Sequence, residues 1–298
     1  MVKTLTPLQT LTATNQESLQ KRRKPAKPIQ PSNRAERYYR GQLRQLIQAM
    51  GRAVAEEAGS ILKAEYTADS PALDRIIAAL RKMSARFTSA AYTNQAERLA
   101  RTTLSMAEAD SSQAFVKSVN RAVGVDMSAL MTQESLQGYI DLAVADNVNL
   151  IKSIAGRYFE EIEATVISGM RQGETSAVIA RRIQSETGAT YKRAKFIARD
   201  QMAKANSDIV KRRQQQAGIT RFKWSTSQDQ RVSGNPAGKY PNAKIKCYQI
   251  SRRDIGYGPG VYLTSQGASY AGETRLFPGR GHINCRCTST PQIEGVDY

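Results

Sequence analysis

From Arg34 to Gly218 this sequence carries apolar residues at three- and four-residue steps, and beyond Gly218 that pattern is gone. The first part can only bury its apolar stripes as packed helices. The second part alternates briefly with period two and then runs through Gly, Pro, Asn, Ser and Tyr, which suits short strands and long loops. The expected fold is therefore α+β: a mainly helical N-terminal body with a small C-terminal α+β module of short strands and loops. Composition agrees, because only 7% of residues are aromatic and Ala, Leu and Ile dominate before Gly218.

Three segments follow. Residues 1–33 are Thr/Gln-rich, then basic and Pro-rich around Lys21-Arg22-Arg23-Lys24-Pro25. Like charges repel and prolines lack a backbone donor, so a disordered arm is expected there. Residues 34–172 read as a helical docking domain. Leu43, Leu46, Ile47, Met50 and Val54 share one face, and so do Leu73, Ile76, Ile77, Leu80 and Met83 after a Ser70-Pro71 start signal. Further helices are expected over 92–123 and 133–170, with Gly124 and Gly156 as breaks or kinks. Residues 173–298 form the C-terminal module. It opens with a helix that Gly188 closes, followed by a longer helix from Thr190 that buries Ala194, Ile197, Ala198, Met202, Ala205 and Ile209 and ends at Gly218 as a C′ residue. Arg221 to Thr226 then reads as a strand with Phe222 and Trp224 turned to a core.

Formal charge is +18 and uneven. Residues 1–50 hold 10 Lys/Arg against 2 Asp/Glu, residues 51–189 hold 15 against 17, and residues 190–298 hold 19 against 7. Basic ends around a neutral middle suit a polyanion or an acidic protein surface. No apolar run reaches the ~20 residues that span a bilayer, so no membrane is expected. Neither the opening segment nor an odd cysteine count of 3 suits a secreted, disulfide-paired scaffold. A protein made in a reducing cytoplasm is expected.

The one histidine and all three cysteines fall in the last quarter of the chain: Cys247, then His282, Cys285 and Cys287 within Gly281-His282-Ile283-Asn284-Cys285-Arg286-Cys287. Four N/S donors can fill a tetrahedral zinc shell, and a shell filled by protein is structural. The residues alone also allow a disulfide from Cys247 to one of the pair, or thiols that merely pack. Arg286 and Arg280 are placed to keep the thiols deprotonated. With one histidine, a nuclease or nucleophilic-pair reading lacks the side chains it needs, so no enzyme is expected. Asp229 and Arg231, two residues apart, read as pinning a turn, with ligand binding as the alternative. Gly256-Tyr257-Gly258-Pro259-Gly260 lacks the Lys-Ser/Thr of a phosphate loop. Residues 174–216, with Lys192, Arg193, Lys195 and Arg199 on the second helix, offer a helix–turn–helix alternative that would bind DNA; a packed helix pair with a solvated basic face is the plainer reading.

Three motifs in order carry a resemblance: Arg193-Ala194-Lys195-Phe196-Ile197-Ala198-Arg199-Asp200; Gly218-Ile219 with Trp224-Ser225-Thr226-Ser227-Gln228-Asp229-Gln230-Arg231-Val232; and His282-Ile283-Asn284-Cys285-Arg286-Cys287 before Pro291. Over roughly residues 173–291 the chain resembles the phage head morphogenesis family, the phage Mu protein F-like minor head proteins. The resemblance implies a minor capsid component of a tailed-phage head, near the portal vertex, in several copies per particle, made in the host bacterial cytoplasm. It implies portal and major capsid proteins as partners, with packaged DNA facing the basic segments, and it brings no catalytic residues. The family often has His or a Cys pair just after the D-x-R turn; here Ser233-Gly234-Asn235-Pro236 follows and Cys247 comes later.

Overall fold

A computed structural model describes residues 24–65, 72–124, 126 and 136–293. The helices are α1 (Asn33–Glu65), α2 (Ala72–Phe87), α3 (Ala90–Val123), α4 (Gln137–Arg171) and α5 (Ser176–Gln216), followed by β1 (Arg221–Ser225), a one-turn α6 (Cys247–Ile250), and strands β2 (Val261–Leu263), β3 (Ala268–Tyr270), β4 (Glu273–Leu276) and β5 (Thr288–Gln292). The α+β reading holds. No helix among the described residues is long and apolar enough to cross a membrane. The Ser70-Pro71 start signal lies outside the described residues.

The described chain packs as two compact units. One gathers Ala35–Leu104 and Ile140–Ala198; the other gathers Met1–Arg34, Ser105–Tyr139 and Arg199–Tyr298. This division does not follow the linear cut at 172/173, because α3, α4 and α5 are long enough to contribute to both units.

The first unit is helical. On α1 the buried positions Ala35, Tyr39, Leu43, Ile47, Met50, Val54, Ala58 and Leu62 recur every three or four residues, the spacing that keeps one face of a helix inward. Leu46 is only partly buried. Ile76, Leu80, Met83 and Phe87 make the corresponding stripe on α2. Two polar side chains enclosed here satisfy each other: Tyr39 Oη donates to Asn147 Oδ1 at 3.0 Å, and Asn147 Nδ2 donates to the Ala143 carbonyl at 2.8 Å. Gly156 neither breaks nor ends α4, and nothing lies within 4 Å of the position its Cβ would take. Gly124 does end α3, with φ +76.

Helix α5 corrects the two-helix reading of 174–216. Gly188 and Ala189 sit inside one 41-residue helix, so there is no turn and no helix–turn–helix pair. A helical Gly costs only about 1 kcal/mol against Ala, and flanks rich in Ala, Arg, Lys, Gln and Glu supply enough propensity to carry the helix through. The far end behaves as expected. Gly218 takes φ +71, its N–H bonds to the Gln215 carbonyl at 3.1 Å, and Ile219 N–H bonds to the Gln214 carbonyl at 2.8 Å, the paired closure of a Schellman cap.

The second unit holds the sheet, in order β2-β1-β5, with both pairings antiparallel. Phe222 and Trp224 are buried on β1 and alternate with exposed Lys223, as the period-two reading requires. Pro291 lies opposite Phe222 on β5, a strand with no β-strand on its other side, where a missing N–H is tolerated.

Residues 24–32 do not form the loose arm expected of 1–33, and residues 1–23 lie outside the described residues. Ala26 and Ile29 are buried against Phe115, Val119, Val210, Ala217 and Ile293. The strap's backbone is tied down along its length. Lys27 N–H donates to Ser118 Oγ (2.9 Å), Ile29 N–H to the Ser289 carbonyl (3.1 Å), and Asn206 Nδ2 donates to the Ile29 carbonyl (2.9 Å). Prolines suit this, since an extended strap held by side chains needs few donors of its own. Ile29→Ala should lower unfolding free energy by about 2–3 kcal/mol in a urea titration, the cost of a buried cavity at the edge of a core. A loss under ~0.5 kcal/mol would mean that the strap does not pack in solution.

Candidate metal centre

Cys247 is the first residue of α6, and the turn 232–235 delivers Ser233 beside it. Cys247 N–H donates to Ser233 Oγ at 3.1 Å, and Tyr248 N–H donates to the Ser233 carbonyl at 3.0 Å. That turn requires glycine next: Gly234 has φ +74, and a Cβ there would come within 2.3 Å of Lys246 Cβ. His282 and Cys285 flank a tight turn closed by Cys285 N–H on the His282 carbonyl at 3.2 Å. Asn284 takes φ +58 in it, a conformation Asn tolerates better than most residues. Cys287 follows, just before β5.

The result is a cluster. The ligand atoms of Cys247, His282 and Cys285 all lie within 4.8 Å of one another. Cys247 Sγ and Cys285 Sγ are 3.8 Å apart, and all three cysteines are free and buried. A disulfide would need ~2.05 Å. Two sulfurs each ~2.3 Å from a tetrahedral zinc would stand about 3.8 Å apart, so this spacing fits a shared metal. Cys287 is buried just before β5 but lies outside this group of three. His282 Nδ1 is 2.9 Å from the Ile283 carbonyl, a contact that fixes the ring with Nε2 toward the thiols, and Nε2 is also 3.1 Å from Ser233 Oγ.

Electrostatics show how the unmetallated cluster holds its protons. The thiols of Cys247 and Cys287 are pushed up, chiefly by bonding to neighbouring sulfurs, while Cys285 is held well below the ordinary thiol range by the Cys247 and Cys287 thiols and then by His282. The neighbouring Cys247 and Cys285 raise His282 from 6.5 to about 11. The imidazolium form of His282 is thus favoured beside the Cys247 and Cys285 sulfurs. Raised above its unfolded value, His282 contributes stability in full below pH 6.5, and that contribution is lost as pH rises toward about 11. Chelator-treated protein should therefore lose melting temperature across that interval by more than a His282→Gln variant does. Equal slopes would contradict the pairing.

The arginines do different work from that expected. Arg286 is paired with Asp229, and Arg280 with Asp208. Asp229 also accepts Arg231 N–H at 2.8 Å, so it pins its turn as read from the sequence and ties that turn to the Cys285–Cys287 segment. The Arg286 guanidinium holds the Asp229 carboxyl below the usual carboxylate range. Asn284 N–H donates to the Asp200 carboxylate, and Arg199 Nε donates to Asn284 Oδ1 at 2.9 Å. A Cβ on Gly281 would stand 3.3 Å from Trp224 Cη2. The three sequence motifs are therefore one constellation: the helix motif holds Asn284, the strand-and-turn motif holds Arg286, and Trp224 backs Gly281. Ser233, Asn284 and Asp200 were not singled out as site residues. Asp200 and Asn284 stood inside the quoted motifs, whereas Ser233 gave no signal beyond following the D-x-R turn.

Comparison with known proteins fits this geometry. Residues 160–290 match the family described as Phage Mu protein F like protein. A Haemophilus influenzae protein named "Uncharacterized protein" is 31% identical over 274 residues, covering 90% of this chain and 55% of that protein. The chain thus spans about half the length of this curated relative. No solved structure matches.

Proposed function

Residues 160–290 belong to the phage Mu protein F-like family of phage head morphogenesis, and on that footing we propose that this protein is a minor head component of a tailed phage. It acts near the portal vertex, in several copies, and assists head assembly and DNA packaging or ejection. The family match carries this reading. The work is architectural: the helical unit docks to portal and major capsid proteins, and the unit holding the sheet is stapled by a structural zinc on Cys247, His282, Cys285 and Cys287. Zinc here supplies cohesion to a region of short strands and loops that has few long apolar runs of its own. Absence of catalysis is part of the proposal. The three thiols are buried, so a substrate does not reach them, and the one imidazole is occupied by them. The basic segments favour acidic partner surfaces or packaged DNA.

The test is mass spectrometry of purified phage particles together with complementation by a null mutant. The protein should be found in the head at low copy, and its loss should yield defective heads. Presence only in the infected-cell lysate, with normal heads in the null mutant, would overturn the proposal. Metal-dependent turnover of DNA abolished by Cys285→Ser would overturn the architectural part.

A further inference from the structure

Residues 279–284 lie along one side of α5, and the helix holds them at three levels. Gly279 has φ +83, and a Cβ there would come within 2.7 Å of the Ala203 carbonyl, so the segment presses directly on the helix backbone. Arg280 pairs with Asp208. Asn284 is held twice: its N–H donates to the Asp200 carboxylate, and its Oδ1 accepts Arg199 Nε at 2.9 Å. As the segment advances, its partners step back from 203 and 208 to 199 and 200, so it runs antiparallel to the helix. Residues 200, 203 and 208 recur at the spacing of one helix face. Asp200 is 5% exposed. Its Oδ2 meets Lys204 Nζ at 2.6 Å while Oδ1 takes the Asn284 N–H, so each oxygen of this buried carboxylate has a partner. Asn284 stands between His282 and Cys285, at φ +58, in the turn that sets the spacing of these two side chains. A residue other than glycine enters that region at a cost, and a charged acceptor on its N–H offsets it.

We propose that Asp200 is a positioning residue of the metal centre: through it, α5 acts as a splint that presets the His282–Cys285 turn, so that both ligands stand ready before the ion arrives. The proposal rests on the reading of Cys247, His282 and Cys285 as metal ligands, and not on head assembly. Groups behind the ligands that orient them typically change metal affinity by about 10–100-fold. Asp200 does so from the backbone between two ligands. Cys247 has its own support, the bond from its N–H to Ser233 Oγ at 3.1 Å, so the two halves of the centre are held by separate parts of the fold.

The full chain, stripped of metal, is reloaded with zinc against a competing chelator and, separately, with cobalt(II), whose visible bands report ligand geometry. Asp200→Ala should bind zinc about 10–100-fold more weakly than wild type. Its cobalt(II) bands should shift or weaken, because the His282–Cys285 spacing has relaxed. Asp200→Asn keeps an acceptor of the same shape without the charge, and in both readouts it should fall between Asp200→Ala and wild type. That variant decides the matter if Asp200→Ala does not fold. Zinc affinity within about twofold of wild type in the folded variants overturns the proposal. So does a lower melting temperature of the metal-free variants with cobalt(II) bands unchanged, which would make Asp200 a packing residue only. A wild-type chain that takes up neither zinc nor cobalt(II) overturns the metal reading itself, and the role of Asp200 with it.

Discussion

Cys285→Ser should strip the sheet-bearing unit of its largest single stabiliser, costing roughly 4–5 kcal/mol or more. Cys285 is fully buried, 3.8 Å from the Cys247 sulfur and grouped with it and His282. Serine is similar in size, so packing changes little, but it is a poor zinc ligand and does not ionise. Structural zinc sites contribute their binding free energy directly to folding. Thermal unfolding of the full chain, with and without chelator, checks this. Wild type should lose stability on chelation and Cys285→Ser should not lose more, because the site is already gone. A variant that melts with wild type would remove the cluster from the stability account.

Glu108→Ala should be the next most damaging change, at about 3–5 kcal/mol. Arg213 is buried to 2% side-chain exposure, and its Nη2 meets Glu108 Oε1 at 2.7 Å. Ser112 Oγ accepts from its Nε at 2.8 Å, and Gln216 Oε1 from its Nη1 at 2.9 Å. Removing the carboxylate takes the Glu108 charge from a buried guanidinium, and the neutral bonds to Ser112 and Gln216 do not repay that loss. Replacing both partners, Glu108→Met with Arg213→Met, should recover most of the loss. Chemical denaturation of the single and double variants separates the two. If Glu108→Ala cost under about 1 kcal/mol, the guanidinium would be solvated and the pair would be ornamental.

What the sequence made legible was whatever repeats locally. The stripe on α1, the Gly218 closure and the period-two β1 depend on neighbours within a turn or a pleat, and each stands where the pattern put it. The Cys/His cluster was legible for another reason: scarce residues with one chemistry have few partners to choose from. What failed was whatever depends on distant partners. Gly188 looked like a stop, but a long helix absorbs one glycine when its flanks are good helix formers. The proline-rich 24–32 looked unpackable. Its apolar Ala26 and Ile29 meet residues about 90 and 180 positions away, which no local pattern announces. Arg286 and Arg280 looked free to serve the thiols because Asp229 and Asp208 lie 57 and 72 residues off in sequence.

The central claim is that Cys247, His282, Cys285 and Cys287 hold one metal ion as a structural clasp. Elemental analysis of the purified full-length protein, run alongside thiol titration under native conditions, tests it most directly. The account predicts about one zinc per chain, thiols that react only after chelation, and loss of the metal in His282→Ala. Metal-free protein whose native melting temperature ignores both chelator and added zinc would contradict it.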